Sequence, residues 1–239
     1  MSSQQVTFSK AIEQIMLDNG YLASLKHIYK EFPKYRTLTG KTPFNTIQER
    51  VQRDPTFTKI GLGVYALTEY LEKLPKITSP KTETEKKDRL HARIQGMLIE
   101  IGNNRNEVED TYTNDKKWLF DNKPLGSLAT LSEVPSFTYE HIINETVRFF
   151  DVIWFNKRRF PLKIFEVEHS TDFRDAFVKF MELQDIRATF CCVSLEDREE
   201  KFKRELNKNA FEPLIHRCEF ASYEQVENDY KLAMSKTFI

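Results

Sequence analysis

Residues 149–155 read Phe149-Phe150-Asp151-Val152-Ile153-Trp154-Phe155, followed by Asn156-Lys157-Arg158-Arg159. After Phe160-Pro161 come Leu162-Lys163-Ile164-Phe165-Glu166-Val167-Glu168-His169-Ser170-Thr171. Two apolar runs flank a polar tetrapeptide with turn chemistry, so the stretch predicts a β-hairpin. Side chains alternate along a strand. Glu166 and Glu168 therefore project from one face, while Phe165 and Val167 enter packing on the other. The first strand is apolar except for Asp151, and the hairpin brings that residue beside the two glutamates. A Glu-x-Glu strand with a nearby Asp is most often a solvated face paired with Lys or Arg. The flanking Ile164, Phe165 and Val167 argue instead for a buried central strand. Three carboxylates in an apolar setting repel one another, and burying each unpaired costs several kcal/mol. A cation belongs among them. Magnesium is the natural choice, because it takes oxygen ligands, keeps some of its waters and bridges phosphate oxygens.

Working outward, Phe173, Ala176, Phe177, Phe180 and Met181 give the next helix, residues 174–184, its apolar stripe. Upstream, His91, Ile94, Met97, Leu98 and Ile101 suit a long amphipathic helix beginning near Asp88, with Gly102 as its C-terminal cap. Residues 107–112 carry a weak strand signal, and residues 136–140 are a candidate helix start. Residues 218–239 have helical spacing but no evident chemistry. At the N-terminal end, Phe8, Ile12, Ile15 and Met16 mark a helix closed by Gly20, and Leu22, Leu25, Ile28 and Tyr29 mark a second. Thr42-Pro43 starts a third, with Phe44, Ile47 and Val51 as its stripe. Residues 57–60 and 64–67 read as two short strands around Gly61 and Gly63. Three helices and then a hairpin is the order of a winged helix. Residues 73–87, with Pro75, Ser79, Pro80 and several Lys, suit a linker. The expected organisation is two domains of mixed α+β and α/β class: 1–72 a winged helix, 73–87 a linker, and 88–239 a mixed sheet flanked by helices.

The chain has 239 residues, 40% hydrophobic and 30% charged, the composition of an ordinary globular protein. No apolar run is long enough to span a membrane, and Met1 to Gln5 lack the order of a signal peptide. Cys191, Cys192 and Cys218 show no metal-type spacing and suit core thiols in a reducing cytoplasm. The formal net charge is zero. Nucleic-acid binders are often basic, but carboxylates gathered at a metal site offset Lys and Arg elsewhere.

Asp151 followed by Phe165-Glu166-Val167-Glu168-His169-Ser170-Thr171 resembles the core of the PD-(D/E)XK nuclease superfamily, which includes many restriction endonucleases. The resemblance runs from about His91 to Tyr230. It implies a Mg2+-dependent DNA endonuclease, with Mn2+ able to substitute, acting on double-stranded DNA as a homodimer. On the same ground Asp151, Glu166 and Glu168 are expected to hold metal, Glu168 also being a candidate proton acceptor. Glu168 stands where the family usually has Lys. Lys179 on the following helix is a candidate for the displaced positive charge, or is simply exposed. A helix-borne Glu often completes such sites, which makes Glu100 a fourth candidate ligand, with a surface or ion-pair role as the alternative. His169 is expected to support the site from the core. Arg148 and Lys163 suit phosphate contact or plain solvation.

Residues 6–71 are similar to the HARE-HTH winged helix, on Phe8, Ala11 and Ile12, the Thr42-Pro43 helix start and the Gly61 to Leu67 hairpin. A winged helix commonly sets its third helix in the major groove. That makes Lys41, Asn45, Gln48, Glu49 and Gln52 candidates for base edges, with Arg50, Arg53 and Lys59 candidates for phosphates. Docking on the nuclease or on another protein is the alternative. Modification of the target bases is a live question for such a module. The competing function is a DNA-binding regulator whose nuclease-like domain is inactive, as the absent Lys at position 168 would allow.

Overall fold

The computed structural model describes residues 6–38, 42–169 and 172–236. Its first part runs α1 (Phe8–Asp18), β1 (Leu22–Ser24), α2 (Leu25–Glu31), α3 (Pro43–Arg53), β2 (Phe57–Gly61) and β3 (Val64–Leu67). The three strands form an antiparallel sheet in the order β1-β3-β2. Ala11, Ile12, Ile15, Ile28, Phe32, Ile47 and Val51 bury their side chains between the helices and this sheet. The second helix was expected to include Leu22, but Leu22–Ser24 is a strand. Gly20 and Tyr21 both have positive φ, which turns the chain sharply after α1. The strand then pairs with β3, and the Ser24 side chain caps α2 by accepting from the His27 N–H.

The second part contains α4 (Glu83–Asn103), β4 (Asp110–Thr113), β5 (Leu119–Phe120), β6 (Lys123–Pro124), α5 (Leu125–Leu128) and α6 (Glu140–Glu145). It continues with β7 (Val152–Phe155), β8 (Pro161–Val167), α7 (Phe173–Met181), β9 (Thr189–Ser194), α8 (Glu199–Leu206), β10 (Cys218–Ser222) and α9 (Tyr223–Lys236). Five strands form one mixed sheet, β10-β9-β8-β7-β4. The hairpin β7–β8 is antiparallel, with Val152 opposite Phe165. From β8 the chain returns through α7 to the parallel β9, and from β9 through α8 to the parallel β10. Val152, Trp154, Phe165, Val167, Cys191 and Val193 pack with α4 and α9 on one face. Ile153, Ile164, Phe190 and Cys192 pack with α7 and α8 on the other. β8 is thus covered on both sides, as its continuous apolar run requires.

Three expectations shift at their edges. α4 starts at Glu83, inside the expected linker, because Thr82 accepts from the Glu85 N–H while Glu85 accepts from the Lys81 N–H at 2.5 Å, an N-terminal cap of the Thr-x-x-Glu kind. Gly102 lies within α4 rather than capping it. A Cβ there would meet the Trp154 indole at 2.4 Å, so the glycine admits that ring. Residues 218–222 form a strand, because a free parallel edge of β9 is there to pair with them, and the helical spacing takes effect only from Tyr223.

The two parts share a core. Leu22, Leu62, Val64 and Ala66 lie in the same apolar cluster as Ala92, Ile94, Met97 and Leu98 of α4. The β2–β3 turn is buried at this junction. The Leu62 N–H donates to Glu100 at 2.7 Å, and the Asn104 side chain donates to the Leu62 carbonyl at 2.8 Å. On the far side Lys30 pairs with Asp110 at 2.7 Å, and Asn19 donates to the Ser127 carbonyl at 2.9 Å.

Candidate active site

The hairpin register carried one residue past Val152–Phe165 sets Asp151 across from Glu166, at the C-terminal end of β8. Asp151 is held there by the backbone. Its Oδ2 accepts from the Val167 N–H at 2.7 Å and faces His91 Nε2 at 3.1 Å. Glu166, Glu168 and Asp151 interact electrostatically. Glu166 is 4% exposed, and Lys179 of α7 donates to its Oε2. Lys179 also lies 5.5 Å over the Phe150 ring. It is therefore the half-buried end of an ion pair to a buried carboxyl and not a plain surface charge. Burial and the Asp151 charge push the Glu166 carboxyl well above the usual carboxylate range, despite Lys179. The same two causes hold Glu168 up to about 7, against the opposing pull of Lys179, Arg198 and His91.

α4 enters the site through His91. The two ring nitrogens face two carboxylates, Asp151 at 3.1 Å and Asp115 at 3.9 Å. Burial lowers this imidazole, but the hydrogen bond to Asp151 and the charges of Asp151, Asp115 and Glu168 outweigh it and raise its pKa. Asp115 follows β4 and also accepts from Gln95 Nε2, one helical turn beyond His91, at 2.8 Å. One ligand atom from each of His91, Asp115 and Asp151 can be chosen so that all three lie within 4.8 Å.

Glu100 is not part of this cluster. It lies nine residues beyond His91, about 14 Å along the helix axis. Its Oε2 accepts from the Tyr230 hydroxyl at 2.7 Å and from the Leu62 N–H, and its Oε1 is ion-paired with Lys123 at 2.7 Å. Both members of the Glu100–Lys123 pair are essentially unexposed, so this carboxylate serves the junction with the N-terminal part. His169 stacks on Tyr223 with ring centroids 6.1 Å apart; burial and the charges of Lys87, Arg198 and His91 keep its pKa low. Arg198 donates to the Glu168 carbonyl at 3.0 Å. Lys163 is engaged by Glu219 at 2.6 Å, and Arg148 lies over Phe149.

Of the candidate DNA contacts, Asn45, Gln52 and Arg53 are exposed on α3, with Arg53 paired to Glu49 at 2.6 Å. Gln48 is half-buried beside the Tyr29 hydroxyl, and Lys59 is half-buried within β2. Lys41 lies outside the described residues, as do Ser170 and Thr171 of the hairpin motif.

His91 and Asp115 were not singled out from sequence. His91 was counted into the apolar stripe of its helix. The available signal was Gln95 four residues on, a second polar residue on a face that is otherwise core. Asp115 carries no local signal, because pairing of β4 with β7 brings it in.

The residues present fit a hard divalent cation. Glu166 Oε1 is buried and has no hydrogen-bond partner, which is costly unless a charge faces it. The surrounding donors are carboxylates with one imidazole, a set that suits Mg2+ or Mn2+. The family model of the type II restriction enzyme NmeDI C-terminal domain matches residues 73–238, more than half of the chain. No curated protein and no solved structure matches it.

Proposed function

Because the chain belongs to the family of the type II restriction enzyme NmeDI C-terminal domain, we propose that it is a metal-dependent endonuclease that hydrolyses DNA phosphodiester bonds at the Asp151–Glu166–Glu168 cluster. The observation that carries this reading is the meeting of those three carboxyls with Lys179 and His91 at the end of β8, with one Glu166 oxygen buried and unpartnered. We read it as a PD-(D/E)XK-type site in which Lys179 supplies from α7 the positive charge missing at position 168. Asp151, Glu166 and Glu168 would hold Mg2+, or Mn2+ in its place, with His91 and Asp115 adjoining. The cation supplies charge against the phosphate and lowers the pKa of the attacking water.

The protein's own groups do the rest. The Val167 N–H and His91 fix the Asp151 carboxylate in one orientation. Lys179 donates to Glu166 and opposes the burial and the Asp151 charge that raise its carboxyl. Glu168 is placed to accept the proton released by water as it attacks phosphorus and the deoxyribose oxygen departs. A homodimer would give one such site per strand.

The order of elements in residues 6–67 and their antiparallel three-stranded sheet support reading this part as a winged helix. On that reading α3 faces DNA with Asn45, Gln48, Gln52 and Arg53. The β2–β3 turn is spent on docking to α4, which leaves the helix as the reading element.

The direct test is Glu166→Gln. Incubated with phage DNA and Mg2+, with Mn2+ as a second arm, the wild type gives discrete bands, and the variant loses at least about 10³-fold in rate while binding DNA as well as the wild type. A variant that still cuts overturns the site. A wild type that binds both unmodified and cytosine-modified phage DNA but cuts neither with either metal favours the regulator.

A further inference from the structure

One wall of α4 borders a cavity of about 410 Å3 away from the carboxylates. Ile77, Trp118 and Phe120 give it apolar lining. Arg89, Arg93 and Lys117 line it too, against one acidic residue, Asp121. Trp118 is 44% exposed and Ile77 40%, a large apolar area for a surface to leave open. Among the described residues the Trp118 ring meets no other ring and no cation. Arg93 is held by Glu227 at 2.9 Å, whereas Arg89 and Lys117 have no carboxylate within ion-pair range among the described residues. The cavity is also tied to the site. The Trp118 N–H donates to the Asp115 carbonyl at 3.1 Å, so one turn separates the ring from the carboxylate that faces His91.

We propose that this cavity receives an unstacked nucleotide of the bound DNA, its base against Trp118 and its phosphate on Arg89 and Lys117. The inference rests on the endonuclease reading and extends it to how the strand is held. The chemistry selects the occupant. An apolar lining with a free indole suits the π-face of a base, and free cations beside it suit the phosphate of the same residue. A base stacked within a duplex presents only its edge to a protein, so the base must leave the stack to enter.

The test uses the full chain without divalent metal, at low salt, where sequence-independent binding is measurable. The probe is a 30-base-pair duplex with one 2-aminopurine opposite an abasic site, beside the fully paired duplex. The chain has two tryptophans, and Trp154 is buried, so acrylamide quenching reports Trp118. We expect the first duplex to shield Trp118 and to bind more tightly than the paired one. Trp118→Ala should weaken its binding about tenfold or more, the range of base–aromatic stacking, and Trp118→Phe by less than about threefold. Duplex binding that leaves Trp118 accessible and is indifferent to Trp118→Ala overturns the pocket while the endonuclease reading stands. A wild-type dimer that Trp118→Ala dissociates, again without shielding by DNA, assigns the surface to self-association and overturns it too. A wild type that binds neither duplex overturns both.

Discussion

Burial and the neighbouring Asp151 charge make the metal-free site costly when its carboxyls are ionised, and the cost has a definite pH dependence. Glu168 is held up to about 7 from an ordinary value of 4.5, and Glu166 is raised as well. Between these two pH values the folded state binds more protons than the unfolded one, so the Glu168 contribution to stability falls as pH rises from about 4.5 through about 7, and Glu166 acts in the same direction. For Glu168 the loss is about 2 kcal/mol after discounting its partial exposure. A divalent cation on the ionised carboxyls reverses it. The rise in melting temperature on adding Mg2+ should therefore be larger at pH 8 than at pH 5.5, by roughly 4–8 °C. An equal or smaller rise at pH 8 would refute the assignment of these carboxyls as ligands. The electrostatic coupling of Asp151, Glu166 and Glu168 was legible because it is local, set by a hairpin and a two-residue period. His91 and Asp115 were not, because each arrives by tertiary packing. For the same reason Glu100 took its ion-pair alternative and not the ligand role. Spacing places a Glu on the helix, but only packing decides whether Lys123 or a metal faces it.

α4 shows what the pattern of a helix omits. From Ala92 to Asn103 nearly every residue is buried, so the helix is covered on all sides, and an amphipathic stripe describes only its first half. Such a helix needs small residues where neighbours cross it. Gly96 is one: a Cβ there would lie 2.3 Å from atoms of Phe120. Replacing a helical Gly with Ala ordinarily gains up to about 1 kcal/mol, but overpacking costs about 1–3 kcal/mol or more. Gly96→Ala should therefore destabilise the protein by about 1–2 kcal/mol in urea denaturation, and a stabilised variant would show that β5 yields freely. The strongly periodic or alternating segments were read correctly as elements: α1, α3, α7 and the β7–β8 hairpin. Misreadings fell where partners decide. Leu22–Ser24 and Cys218–Ser222 became strands because an open sheet edge awaited them.

The junction between the N-terminal part and the five-stranded sheet sets how the protein should melt. A flexible tether at 73–87 would let two units unfold separately. Instead they share an apolar cluster, and Glu100 and Lys123 pair at 2.7 Å where both are fully buried beneath the β2–β3 turn. Removing one member of such a pair leaves an uncompensated buried charge and costs about 3–5 kcal/mol. Replacing both with apolar residues of similar volume avoids that penalty. Calorimetry of the whole chain should give one transition. Glu100→Ala should lower it by on the order of 10 °C, and Glu100→Leu combined with Lys123→Met should recover most of the loss. Two transitions, with only the lower one moved by Glu100→Ala, would mean that the parts fold independently. A single transition has a functional corollary. On the proposed function, docking of the β2–β3 turn on α4 would let the fold and not a linker set the spacing between a sequence contacted by α3 and the scissile bond.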